Sequence, residues 1–99
     1  MEKEKDVNTI TLGGGIELTG FKTIDPGMFI VVKKIVGSYA RIFSDKHKDF
    51  ERLILKNEGK EMKAELKLKE KSFDANSKVN NLFIALDSVL KELENKAKG

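Results

Sequence analysis

Met62-Lys63-Ala64-Glu65-Leu66-Lys67-Leu68-Lys69 is the stretch from which the fold is read. Apolar side chains occupy every second position, and the positions between them are charged. Successive side chains of a strand point to opposite faces, so this segment predicts a β-strand with one face packed and the other in water. A sheet of this kind needs apolar cover on one side only. Upstream, Phe50 to Lys56 reads as a strand joined to it by the turn residues Asn57-Glu58-Gly59-Lys60. Downstream, Glu70-Lys71 turns the chain. Phe73 and Ala75 then mark a further strand that extends at most to Val79.

Two helical stripes supply the cover. Asp25 is placed to cap a helix, and Pro26 suits its first position, where no hydrogen bond is lost. Phe29, Val32, Ile35, Val36, Tyr39, Ile42 and Phe43 follow at three- and four-residue spacing. Gly37 breaks this helix's propensity at a small cost, and the expectation is that another element approaches closely there. The polar run from Ser44 to Asp49 ends it. A second helix starts at Val79 or Asn80, capped by Asn80 or Asn81. Its stripe is Leu82, Leu86, Val89, Leu90, Leu93 and Ala97. Near the N-terminus, Ile16-Glu17-Leu18-Thr19 alternates, as does Thr9-Ile10-Thr11-Leu12, with Gly13-Gly14-Gly15 between them. A short hairpin and one long bent strand both fit.

The order β-α-β-β-β-α places the chain in the α+β class. The expected architecture is a four-stranded sheet with both helices on one face, plus an extra N-terminal strand if residues 8–15 form one. Residues 1–7 read as a polar, frayed N-terminus, and 8–98 as a single domain.

Composition narrows the function classes. The chain has 99 residues, 39% hydrophobic and 35% charged, with a formal net charge of +3. Its length is one domain's worth and leaves little room for a separate substrate cleft. It contains no cysteine, which excludes disulfides, thiolate metal sites and a cysteine nucleophile. No run of about 20 apolar residues is present to span a membrane, and Met1 to Asp6 lacks a signal peptide's apolar stretch. The expected compartment is the cytoplasm. The positive excess permits RNA binding without demonstrating it.

Little in the sequence has the pattern of catalysis. His47 is the single histidine and sits in a charged turn, with neither cysteine nor second histidine to complete a metal site. Ser38, Ser44, Ser72, Ser77 and Ser88 have no activating histidine. Gly13-Gly14-Gly15 is followed by Ile16 and Glu17, whereas a phosphate-binding loop needs lysine and a hydroxyl there. Gly37-Ser38-Tyr39-Ala40 has the first glycine of a KH-domain backbone clamp and lacks the second. The expectation is a non-enzyme with no cofactor, no metal and no small-molecule substrate.

The basic residues carry the binding hypothesis. Lys34 and Arg41 are seven residues apart and share a helix face opposite the apolar stripe, with Lys33 beside them. Lys91 and Lys98 have the same spacing on the second helix, with Lys96 nearby. Side-by-side helices would join all six into one basic surface. An ordinary solvated surface is the competing reading, because Asp87, Glu92 and Glu94 dilute the second helix. The open sheet face, with Lys63, Lys67 and Lys69 against Glu65, is a rival surface.

From Ile16 to Lys98 the chain resembles the ribosome hibernation-promoting factors, also called the ribosome-associated inhibitor or sigma-54 modulation family. Ile16-Glu17-Leu18-Thr19-Gly20 is similar to that family's first strand and turn, and Ile24-Asp25-Pro26 to the opening of its first helix. Ser72 to Asp87 resembles its fourth strand and second helix, continued by Glu92-Leu93-Glu94. The chain departs from the family at Glu92 and Asn95, where basic residues are usual, in shorter hairpins, and in the stretch before Ile16. The resemblance implies a short-form, non-enzymatic factor that sits in the small ribosomal subunit on rRNA and inhibits translation. In that reading Lys33, Lys34, Arg41, Lys91, Lys96 and Lys98 contact phosphates. Two other readings remain: a general structured-RNA module of double-stranded-RNA or KH-like type, and a protein-interaction module that pairs through its sheet.

Overall fold

Alternation and helical spacing settle most of the architecture of the computed structural model, which describes residues 9–98. The elements run β1 (Thr9–Leu12), β2 (Ile16–Thr19), α1 (Pro26–Lys46), β3 (Phe50–Asn57), β4 (Met62–Leu68), β5 (Ser72–Ser77) and α2 (Leu82–Ala97). The five strands form one mixed sheet in the order β1-β2-β3-β4-β5. Only β2 and β3 pair in parallel, with α1 as the crossover between them; the other neighbours are antiparallel.

The extra N-terminal strand allowed for residues 8–15 forms, and brings the sheet to five strands. Gly13-Gly14-Gly15 makes a tight turn rather than a bend, and Thr9 to Leu12 folds back on Thr19 to Ile16. Gly14 and Gly15 take the positive φ that such a reversal requires. The last strand stops at Ser77, and Val79 lies exposed between it and α2. The N-terminal segment 1–7, read as frayed, lies outside the described residues.

Both helices start where their caps are. Asp25 accepts from the amides of Gly27 and Met28, with Pro26 opening α1. Asn81 accepts from Phe83 and Ile84 at the start of α2. The core lies between the sheet and the helices. It takes Ile16 and Leu18 from β2, Leu53 and Leu55 from β3, and Met62, Ala64, Leu66 and Leu68 from β4. The helices add Val32, Val36, Ala40 and Phe43, and Ala85, Leu86, Val89, Leu90, Leu93 and Ala97. No charged or polar residue among the described ones is buried. The alternation in β4 thus has the consequence expected of it: its lysines and Glu65 lie on the face away from both helices.

The helices run the same way. Ile24, Asp25 and Met28 at the start of α1 share a hollow with Asn80, Leu82 and Ala85. At the other end Lys46 pairs with Glu94 at 3.6 Å. Tyr39 lies in the seam, where partial burial and the Asp87 and Glu94 carboxylates raise its hydroxyl pKa, helped by a hydrogen bond to Asp87.

Candidate nucleic-acid interface

α1 buries one stripe and leaves the opposite one in solvent. That outer stripe reads Ile30, Lys34, Gly37 and Arg41, at spacings of four, three and four residues, with Lys33 and Ser38 on its flanks. Residues three and four apart on a helix are side-by-side neighbours. Lys33, Lys34, Gly37, Ser38, Arg41 and Ile42 line one shallow groove of about 560 Å³. Past Gly37 and Arg41 it adjoins a second hollow, whose far wall is Gly13 and Gly14 of the β1–β2 turn with Ile16 at the start of β2. Asp45 lies at its end.

The cations of this groove differ in their engagement. Lys33 holds its ammonium 5.2 Å from the centre of the Phe29 ring. Among the described residues, Lys34 and Arg41 have no ion-pair partner. Two of the three α2 lysines are committed. Lys91 lies 3.5 Å from Asp87, one turn earlier on the helix. Lys96 bridges Glu92 at 3.1 Å and donates to the Asp74 carbonyl on β5 at 2.6 Å. Lys96 thereby covers part of an edge strand, a common use for lysine. Lys98 caps α2 and shares a hollow with Phe43, Lys46, His47 and Glu94.

The six expected contact residues therefore fall into two groups. Lys33, Lys34 and Arg41 meet in one groove; Lys91, Lys96 and Lys98 are spread along α2. The seam between the helices carries Asp87 and Glu94. Sequence reasoning found the cations of α1 and missed Ile30, Ser38 and Gly13. Ile30 is 54% exposed, and its four-residue spacing from Lys34 was the available signal. The close approach expected at Gly37 does not come from within the chain: a Cβ there would meet nothing within 4 Å. His47 ends α1, its amide donating to the Phe43 carbonyl.

The open sheet face has a different electrostatic character. The register lines up Glu17, Ile54, Glu65 and Asp74 in one row across β2 to β5. The next row holds Lys56 and Lys63, and on the other side lie Arg52 and Lys67. Charge thus alternates in bands, with an acidic band between basic ones. Arg52 is neutralised by Glu17 at 2.7 Å, and Lys63 by Glu58 at 3.6 Å. A hollow of about 370 Å³ on this face mixes Lys56 and Lys63 with Glu61, Glu65 and Asp74. The side chains of these rows include no aromatic ring on which a base could stack.

Among the described residues no group of three or more histidine, cysteine, aspartate or glutamate side chains could hold a metal ion, and no helix is long and apolar enough to cross a membrane. Compared with known proteins, the chain matches no family model and no curated sequence at a significant level.

Proposed function

We propose that this protein is a non-enzymatic, cytoplasmic, ribosome-associated factor that binds rRNA of the small subunit and inhibits translation, as hibernation factors do. The observation that carries this reading is the outer face of α1. There Lys34 and Arg41 stand one turn to either side of Gly37, without carboxylate partners among the described residues. Unpaired cations at fixed spacing are what a phosphate backbone rewards, because each contact releases a condensed counterion. The strand and helix order from Ile16 onward, β-α-β-β-β-α, is the order expected from the resemblance to hibernation factors and supports the same reading.

The acidic band across the sheet argues for the helix face over the sheet face. Glu17, Glu65 and Asp74 would repel a polyanion laid there. Shape would supply the specificity and phosphates the affinity, as is usual for folded RNA. Sedimentation tests the proposal. Purified protein mixed with small subunits at low salt should travel with them through a sucrose gradient and depress translation in an extract. Recovery only in ribosome-free fractions would overturn it. Equal binding to any duplex RNA would favour a general structured-RNA module instead.

A further inference from the structure

Glycines usually have a reason inside the chain. Gly14, Gly15, Gly20 and Gly59 take positive φ, and a Cβ on Gly27 would press on the Asp25 carboxylate that caps α1. Gly13 and Gly37 have neither reason: no positive φ, and nothing within 4 Å of a Cβ. Gly37 is the more telling, because it sits mid-helix, where glycine is among the poorest residues and alanine the best. Both line the hollow that also holds Arg41. Gly37 further lies in the groove with Lys33, Lys34, Ser38 and Arg41.

We propose that Gly37 is the floor of a seat for one phosphodiester group of RNA, with Gly13 keeping the opposite wall low. This rests on the RNA-binding reading above and specifies where on α1 the backbone lies. A phosphate over Gly37 would be flanked by Lys34 one turn before and Arg41 one turn after, with the Ser38 hydroxyl beside it as a donor. Those are charge-assisted contacts from two sides of a tetrahedral anion. The missing Cβ lets the phosphate oxygens approach the helix surface, so that both cations reach them together. Any side chain at Gly37 would hold the phosphate off and force a choice between them. Asp45 at the far end sets a limit to the seat, since it would repel the next phosphate in that direction.

The test separates stability from binding. Gly37→Ala fits its open space and improves helix propensity, so its melting temperature should rise by about 4–8 °C. Its affinity for purified small ribosomal subunits should nonetheless fall. Gly37→Leu should weaken binding about tenfold or more, the loss of a charged hydrogen bond. Its slope of log affinity against log salt should drop by about one, the mark of one lost phosphate contact. Binding by both variants at the wild-type level, with an unchanged slope, would overturn the seat while leaving the RNA surface standing. Failure of the wild-type chain to bind would overturn the reading beneath it.

Discussion

Gly20 lies directly against the carbonyl oxygen of Asn57, with no room for a Cβ between them. Gly20 follows β2 with φ at 83°, and Asn57 ends β3, the parallel neighbour. The Asn57 side chain ties the two further: its amide donates to the Gly20 carbonyl at 3.3 Å, while its oxygen accepts from Gly59 in the following turn. One contact thus fixes how the chain leaves β2 and how the β3–β4 hairpin turns. Gly20→Ala must pay for a left-handed conformation and for a clash with backbone that cannot rotate away. It should cost about 2–4 kcal/mol by urea denaturation. An unchanged midpoint would show that the strand ends are looser than this. The contrast with Gly37→Ala, expected to stabilise, is internal to one domain.

The second helix offers a plainer measurement. Leu86 and Leu93 are both fully buried beneath the sheet. Either one changed to Ala leaves a hole in a close-packed core and should cost about 2–5 kcal/mol. Calorimetric or denaturant midpoints indistinguishable from wild type in both variants would mean that α2 packs by another face.

Those leucines were legible because period dominates composition in this chain. Spacing alone found Leu86, Val89, Leu90 and Leu93, and alternation alone found Met62, Ala64, Leu66 and Leu68. Small residues were harder. Ala40 and Ala85 are buried, yet alanine carries little hydrophobic signal of its own. Phe21, only 1% exposed, follows the Gly20 turn in no periodic segment, so nothing local announced it. The site divided in the same way. Positive charge at seven-residue spacing marked Lys34 and Arg41. That Lys91 and Lys96 spend their charge on Asp87, Glu92 and a strand carbonyl depends on rotamers and on the tertiary position of β5.

Tyr39 is the chain's one tyrosine, and the chain has no tryptophan, so phenolate absorbance reports on it alone. Burial, then Asp87 and Glu94, raise its pKa above the ordinary value of 10.0. In the window between the unfolded and folded values the folded state holds the proton that the unfolded state has lost. Stability is therefore unaffected below that window and falls as pH rises through it. Asp87→Asn removes one carboxylate and should lower the Tyr39 midpoint while leaving the burial contribution in place. A midpoint that does not move would separate Tyr39 from the α1–α2 seam. The same substitution releases Lys91 from its 3.5 Å pair with Asp87.

The placement of the RNA surface on α1 rather than on the sheet is open to a direct comparison. Lys34 and Arg41 point into solvent without ion-pair partners among the described residues, so changing both to Gln should leave the melting temperature almost unchanged. If both touch the one phosphate seated over Gly37, the double variant loses that counterion-releasing contact. Affinity for small subunits should then fall, and the salt slope should flatten by about one. Lys63 and Lys67 on β4 are the control, because they stand beside the acidic row of Glu65 and Asp74. Changing that pair to Gln removes as much positive charge from the molecule while leaving the α1 groove intact. A general attraction between a basic protein and a polyanion would weaken alike in both variants. A built site on α1 would weaken in one only. Loss of binding in the Lys63 and Lys67 variant, with the Lys34 and Arg41 variant unaffected, would move the interface to the sheet and refute the assignment to the helix.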